Sequence, residues 1–157
     1  MNLIKKTSRN QTRVIIIALM VLIQGCSVRL ISDYDNITDK TVTELQEKVS
    51  NYFVRLERTI NNNDEVKYEN FIKQFDAIKV DLNNIEVRAA ALEKNRIIQE
   101  KVKELKNAIE NLESSHKEGF SHYDQIKPLK RSFNVIFTAM VKFQLALKRG
   151  EKLKKIK

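Results

Sequence analysis

The fold is decided by the stretch NRIIQEKVKELKNAIENL, which is residues 95–112. Five of its apolar side chains follow one another at alternating steps of four and three residues: Ile98, Val102, Leu105, Ile109 and Leu112. This spacing brings them onto one side of an α-helix, as in the seam of a coiled coil. The stretch therefore predicts a helix that buries one face against other helices.

Three further segments show helical spacing of apolar residues, so the sequence predicts an all-α, antiparallel four-helix bundle. The expected helices are 36–60, 65–92, 95–116 and 128–149. Asp35 is a candidate N-cap for the first helix. Pro128 suits the first turn of the fourth helix, which we expect to end before Gly150. Matched helix lengths with short connections favour an up-down-up-down order.

We infer the boundary between the second and third helices from a change in the side of the helix on which the apolar residues lie. The stripe of the second helix would continue through Arg96 and Gln99, whereas the third helix uses Ile98 and Val102. We therefore place a break at residues 93–95. Neither Gly nor Pro marks this break, so one continuous helix from residue 65 to residue 116 is the alternative.

The composition agrees with helices and argues against a sheet protein. The 157 residues include only three glycines and one proline, fewer than the turns of a many-stranded sheet require. Charged residues make up 31% of the chain, as on solvent-exposed helices. A single cysteine excludes an intramolecular disulfide, so stability has to come from apolar burial.

The N-terminal residues have the composition of a secretory signal. Residues 1–13 include four cations and no acid, and the apolar run Val14–Ile23 follows them. This run is about half of the ~20 residues that cross a bilayer as a helix, and it fits the core of a signal peptide. The only cysteine of the chain, Cys26, comes shortly after the run.

The segment Ile23-Gln24-Gly25-Cys26 resembles the lipobox of bacterial lipoproteins. The resemblance implies that a diacylglycerol is joined to the Cys26 thiol, that a peptidase cuts between Gly25 and Cys26, and that the new amino group is acylated. Ser27 after the cysteine implies an outer-membrane anchor facing the periplasm rather than an inner-membrane one. The alternative is an uncut signal anchor in which Cys26 is an ordinary buried thiol.

These predictions divide the chain into a signal peptide (1–25), a lipidated cysteine with a short linker (26–35), a helical bundle (36–150) and a basic tail (151–157). Removal of residues 1–25 leaves 132 residues, the size of one domain, and lowers the net charge from +9 to +5. Export also argues against a nucleic-acid partner, despite the basic charge.

The basic residues near the C-terminus are a candidate membrane contact: Lys148, Arg149, Lys152, Lys154, Lys155 and Lys157. Four antiparallel helices would return the chain to the end of the bundle at which Cys26 lies, so these cations would face anionic lipid. The alternative is a solvated tail whose cations interact favourably with a helix C-terminus.

A second candidate surface lies on the fourth helix, whose residues 133–147 are the most apolar part of the mature chain. Phe137, Val141 and Leu145 form a stripe beside the main apolar face. We interpret this stripe as a surface for a partner or for weak self-association. The alternative is that the fourth helix is simply the most buried of the four.

The acidic stretch at the start of the first helix is a candidate cation site. Asp33, Asp35 and Asp39 lie within seven residues, but Thr38 occupies the position at which an EF-hand loop requires Gly. Helix capping and a solvated linker are the favoured interpretation. The pattern Tyr34-Asp35-x-x-Thr38-Asp39 also resembles a group of small, uncharacterised bacterial lipoproteins, and that resemblance implies no activity.

The two histidines are candidate metal ligands. Glu113-x-x-His116 resembles half of the motif of a di-iron bundle, but the other histidine, His122, is preceded at that spacing by Gly119. The four-carboxylate, two-histidine site therefore cannot be completed. His116 falls at the next seam position after Leu112, so a structural residue at the end of the bundle is favoured.

The sequence predicts no catalytic residue, no metal site and no cofactor. Acylation of Cys26 would remove the only thiol, and the mature chain has no Gly-x-Ser-x-Gly motif or phosphate loop. The leading hypothesis is a lipid-anchored cell-envelope protein that acts by contact with an unknown envelope protein or by structural support. The alternative is a periplasmic immunity or inhibitor protein, and an enzyme is a third class, which a bound metal or cofactor would reveal.

Overall fold

The computed structural model describes residues 33–92 and 95–154, with side chains up to residue 151. Four α-helices form this part of the chain: α1 (Asn36–Thr59), α2 (Ile72–Ala91), α3 (Arg96–Glu118) and α4 (Tyr123–Lys154). A short 3-10 helix, Tyr68–Asn70, precedes α2. The described residues contain no strand, and the predicted all-α four-helix bundle is confirmed.

The helices form a closed ring in which each is antiparallel to its neighbours. Helices α1 and α3 each pack against both α2 and α4. Arg88 near the end of α2 binds Asp35 at the start of α1, and Lys106 of α3 binds Glu86 of α2. At the other α1 interface, Lys130 near the start of α4 binds Glu57 near the end of α1. The chain therefore runs up, down, up and down.

The core is built from the faces that the sequence spacing marks. The five seam residues of α3, from Ile98 to Leu112, are all buried, as are Leu45, Tyr52 and Phe53 of α1. Removal of these apolar surfaces from water provides the main favourable free energy of folding. Asp35 caps α1 as expected, because its carboxylate accepts hydrogen bonds from the backbone N–H groups of Ile37 and Thr38.

The predicted start of the second helix at residue 65 is wrong, because the chain makes a longer connection before α2. The Asn62 side chain accepts hydrogen bonds from the N–H groups of Asp64 and Glu65, which stabilises a turn. Lys67 is extended, and α2 begins only at Ile72. Phe71 of this connection is nevertheless fully buried, so it keeps its expected place in the core.

The predicted break between the second and third helices is present. Leu92 is extended, with a ψ of 125°, so α2 does not continue into α3. The side chains of Asn95 and Gln99 donate hydrogen bonds to the carbonyl of Ala89, which lies in the last turn of α2. These bonds satisfy a helix-end acceptor that the break would otherwise leave open.

Both predicted ends of the fourth helix are wrong, since α4 runs from Tyr123 to Lys154. The Gln125 side chain accepts hydrogen bonds from the N–H groups of Ser121 and His122, and this capping starts the helix before Pro128. Gly150 does not end the helix, because it lacks the positive φ of a glycine cap, which Gly119 after α3 has. Residues 151–154, expected in a separate tail, continue α4.

Candidate functional site

A polar cluster lies at the end of the bundle that contains residues 60–71 and 119–122, called the loop end below. His116 of α3 is 1% exposed there. Its Nε2 lies 2.7 Å from the carbonyl oxygen of Val66, and its Nδ1 lies 2.8 Å from the hydroxyl of Tyr52. A carbonyl only accepts, so Nε2 carries the proton and the Tyr52 hydroxyl donates to Nδ1.

Aromatic rings surround this histidine and keep water from it. The centroid of the Phe71 ring lies 4.7 Å from that of His116, and that of Phe120 lies 5.4 Å away. Tyr52 and Phe75 are further members of this aromatic wall. Burial among these rings lowers the pKa of His116 below its usual 6.5, because the charged form would lose its hydration. The imidazole is therefore neutral at pH 7.

Glu113, one turn before His116, is the second buried member of the cluster. Its Oε1 accepts a 2.6 Å hydrogen bond from the Tyr68 hydroxyl, and its Oε2 pairs with Lys79 at 2.6 Å. Lys117 approaches Oε1 to 3.4 Å. Burial opposes ionisation of Glu113, but hydrogen bonds from Lys79 and Tyr68 outweigh it and lower the pKa. The carboxylate in turn raises the pKa of Tyr68 to about 12.

The chemistry of this cluster is structural. Both ring nitrogens of His116 are hydrogen-bonded, and both oxygens of Glu113 are paired. They tie α1, α2 and the connection at Val66 to α3. Within the described residues, no group of three or more His, Cys, Asp or Glu side chains could hold a metal ion. His116 thus occupies the bundle-end position that its seam spacing indicates.

A cleft of about 360 Å³ opens beside the cluster at the surface of the loop end. Asn63, Lys67, Lys117 and Phe120 are among the residues that line it. The connection before α2 is acidic, with Asp64, Glu65 and Glu69 all exposed. The loop end therefore presents carboxylates to solvent around a small cleft.

The acidic stretch before α1 is divided between separate partners. Asp35 caps α1 and accepts two hydrogen bonds of 2.9 Å from the guanidinium of Arg88. Asp39 instead accepts a 2.7 Å hydrogen bond from the Tyr34 hydroxyl. The arrangement agrees with the capping interpretation, and it lowers the pKa of Asp35 to about 2, mainly through the bonds from Arg88.

The predicted partner stripe on α4 is partly a core stripe. Phe137 is 3% exposed and belongs to the core, so its assignment to a free surface is wrong. It lies four residues after Phe133 and three before Met140, and this spacing places all three on the buried face. Val141 is partly buried, while Leu145 is 46% exposed. Of the three, only Leu145 is freely accessible.

The predicted basic tail is described in part. Lys148 and Arg149 are exposed on α4, and the Lys148 ammonium lies 5.4 Å from the ring centroid of Tyr34. The end of α4 is thus at the same end of the bundle as the start of α1, which we call the tail end. Lys152 and Lys154 lie in the helical backbone of α4. Lys155, Lys157, Gly25 and Cys26 lie outside the described residues.

Sequence reasoning missed the polar contacts between helices. Arg88–Asp35, Lys79–Glu113 and Lys48–Asp81 each join side chains far apart in the chain. Their only sequence signal is a charged or polar residue at a position within an apolar stripe, such as Asp81, three residues after Ile78 and four before Ile85. Such a residue requires a partner when it is buried, but the spacing does not say which one.

Comparison of the chain with protein-family models, with curated proteins and with solved structures finds no match. Among the described residues, no helix combines the length and the apolar character needed to cross a membrane.

Proposed function

We propose that the protein is a lipid-anchored component of a bacterial cell envelope, held by acyl chains on Cys26, which acts by protein contact rather than by catalysis. The observation that carries the proposal is the combination at the N-terminus: four cations, a short apolar run, Gly25 and a lone Cys26. An unpaired cysteine in an exported protein otherwise has no evident use.

The described bundle supports this proposal in two ways. It begins at Asn36, so nine residues separate it from the acylation site, enough for a linker. In addition, the polar residues buried at the loop end form hydrogen bonds that hold the helices together. The surfaces that remain are those of helices and short connections, which suit binding to another macromolecule.

The anchor is tested by growing bacteria that express the full chain with an alkyne-bearing fatty acid and then analysing the protein by mass spectrometry. We expect an N-terminal peptide that begins at Cys26 with a diacylglycerol on sulfur and an acyl group on nitrogen. The matched variant Cys26→Ser should carry no label and keep residues 1–25. A wild-type chain with a free Cys26 thiol and an intact N-terminus would overturn the proposal.

The contact role is tested by placing a photo-crosslinking amino acid at Asn63 in the loop-end cleft, with a second position at Val80, which is 60% exposed on α2. Crosslinks in intact cells, identified by mass spectrometry, should join at least one position to a resident envelope protein. An absence of protein adducts from both positions would argue against a role in protein contact.

A second candidate function is inhibition of a toxin or envelope enzyme. The observation that favours it is the exposed acidic connection at the loop end, where Asp64, Glu65 and Glu69 could face a basic enzyme. The Asn63 crosslink separates the two functions, because an inhibitor would capture a secreted toxin or a hydrolase. Loss of that adduct on replacing the three acids by amides would support inhibition.

A further inference from the structure

The net charge of the bundle is concentrated on one helix. Helices α1, α2 and α3 each carry equal numbers of cations and acids, which are four, three and five of each sign. Helix α4 carries eight cations and two acids, and no acid lies between Asp124 and Glu151. Segregation of charge on this scale creates a strongly positive surface beside three neutral ones.

Among the described residues, fewer of the cations of α4 form ion pairs with carboxylates than of those on the other helices. Most cations on α1, α2 and α3 pair with carboxylates, as Lys48, Arg88 and Lys106 do. On α4, Lys130 pairs with Glu57. No ion pair with a described carboxylate involves Arg131, Lys142 or Arg149. Their charges are therefore available to a ligand outside the bundle.

These three cations share one solvent-facing line with exposed apolar side chains. The line, called the outer stripe below, follows steps of four and three along α4 opposite the core: Arg131, Val135, Thr138, Lys142, Leu145 and Arg149. Val135 is 64% exposed and Leu145 is 46% exposed. Together with Lys127 at its start, the stripe extends over about 33 Å at 1.5 Å per residue.

Favourable interaction with a helix C-terminus does not explain the stripe, because even Arg149 lies five residues before Lys154, the last residue of α4. That effect is confined to the last turn of a helix, whereas Arg131 lies in the first half of α4 and Lys142 near its middle. Solvation of an exposed helix face does not require the absence of acids either, since the other three helices carry cations and acids in equal numbers. A long anionic surface accounts for the whole stripe.

We propose that the outer stripe of α4 rests on the anionic headgroups of a phospholipid bilayer, so that the bundle lies on its side against the membrane. Each cation near such a surface adds to binding, and Val135 and Leu145 enter the interface between headgroups, as in peripheral amphipathic helices. The inference deepens the proposed function, because an anchor at Cys26 would keep α4 beside a bilayer. An acidic protein is the competing partner.

The test uses a chain that begins at residue 26 and carries Cys26→Ser, so the result does not depend on acylation. The described residues belong to one compact unit, and every described core side chain lies between Val42 and Met140. We expect this protein to sediment with phosphatidylglycerol vesicles but not with phosphatidylcholine vesicles. Binding should weaken as salt rises to about 0.15 M, where screening acts within ~8 Å.

The decisive variant replaces Arg131, Lys142 and Arg149 by Gln. Its matched control replaces Arg58, Lys73 and Lys103, one exposed cation on each of the other helices, by Gln. Both variants lose the same net charge. The α4 variant should bind anionic vesicles on the order of a hundredfold more weakly than the parent protein, and the control should lose far less. Circular dichroism of both variants checks that they remain folded.

Equal loss in the two variants, or no binding of the parent protein to anionic vesicles, would overturn the proposal. In intact cells, a photo-crosslinker at Val135 should form adducts with phospholipid, and a protein adduct in their place would assign the stripe to an acidic protein partner. Failure of the lipid anchor would appear separately, in the fatty-acid labelling of Cys26, and would leave the vesicle result unaffected.

Discussion

The guanidinium of Arg88 donates two hydrogen bonds of 2.9 Å to the carboxylate of Asp35, which also caps α1. One side chain thus starts the first helix and fastens the end of the second to it. Paired, two-bond contacts of this kind are stronger than single ones and fix the geometry of both partners. Asp35 therefore sets how α1 and α2 meet at the tail end.

Replacement of Asp35 by Asn should lower the free energy of unfolding at pH 7 by about 1–2 kcal/mol, with allowance for solvent at Arg88. Asn can still cap the helix, so the loss reports the charge. The pKa of Asp35 falls from 3.8 to about 2 in the folded protein. The stabilisation is therefore complete above about pH 4 and disappears as the pH falls towards 2.

Urea unfolding at several pH values measures this difference. Asp64→Asn is the matched control, because Asp64 pairs with Lys67 on an exposed turn and should leave the stability unchanged. A constant difference between Asp35→Asn and the parent protein across the acid range would contradict the assigned pKa.

His116 should make the stability fall in weak acid. Burial lowers its pKa below 6.5, so below that pH the unfolded chain binds a proton that the folded imidazole does not. The free energy of unfolding should be fully maintained above about pH 6.5 and decrease below it. The hydrogen bond to the Val66 carbonyl and, to a smaller extent, the carboxylate of Glu69 act in the opposite direction and limit the decrease.

The variant His116→Gln removes the titrating group, so its stability should change less between pH 7 and pH 5 than that of the parent. It should also cost about 1–3 kcal/mol at neutral pH, because Val66 and Tyr52 lose well-placed partners. His122→Gln, at an exposed position before α4, should keep the parent profile. Identical profiles for the parent and His116→Gln would refute the role of His116.

Gln144 offers a position at which the protein can be stabilised. Its side chain is 2% exposed, and its Oε1 has no hydrogen-bond partner within the described part of the chain. Gln144→Met keeps the shape and removes the unsatisfied acceptor, so we expect thermal unfolding to reveal a gain of about 1–2 kcal/mol. Gln99→Met, which loses a bond to the Ala89 carbonyl, should bring no gain.

Replacement of Phe137 and of Leu145 by Ala should have very different effects on stability, because Phe137 lies in the core and Leu145 on the surface of α4. Phe137→Ala is expected to cost about 3–5 kcal/mol of stability, because it leaves a cavity in the core. Leu145→Ala, on the outer stripe, should change stability by less than about 0.5 kcal/mol. Denaturant unfolding measures both values, and a small cost for Phe137→Ala would mean that its ring is not packed as described.

The helical seams and the break before α3 could be predicted because they depend on local spacing. Apolar side chains at steps of three and four define a buried face whatever their partners are, as Leu105 and Ile109 show. The same rule predicted that His116 belongs to the bundle end. What it could not supply is the identity of the partner across the core, such as Tyr52 for His116.

The starts of α2 and α4 could not be predicted from the apolar spacing and Pro128, because side-chain hydrogen bonds to the backbone set where these helices begin. Pro128 favours a helix start, yet Gln125 caps an earlier one, and Asn62 delays α2 by stabilising a turn. The prediction of a surface stripe at Phe137, Val141 and Leu145 is wrong at Phe137 for a related reason. A helix with two neighbours buries a wide face, so a flanking stripe can be core at one residue and surface at another.

The contact between Tyr34 and Lys148 means that the two ends of the described bundle meet. We expect such a bundle to tolerate circular permutation, since a short peptide could join the ends and new ones could be opened in the turn at Gly119, where an added Cβ would meet no atom within 4 Å. Reporter domains fused at either end would project from the same place. The loop end would remain unobstructed. The helices would pack in the same way even though the chain connected them in a different order.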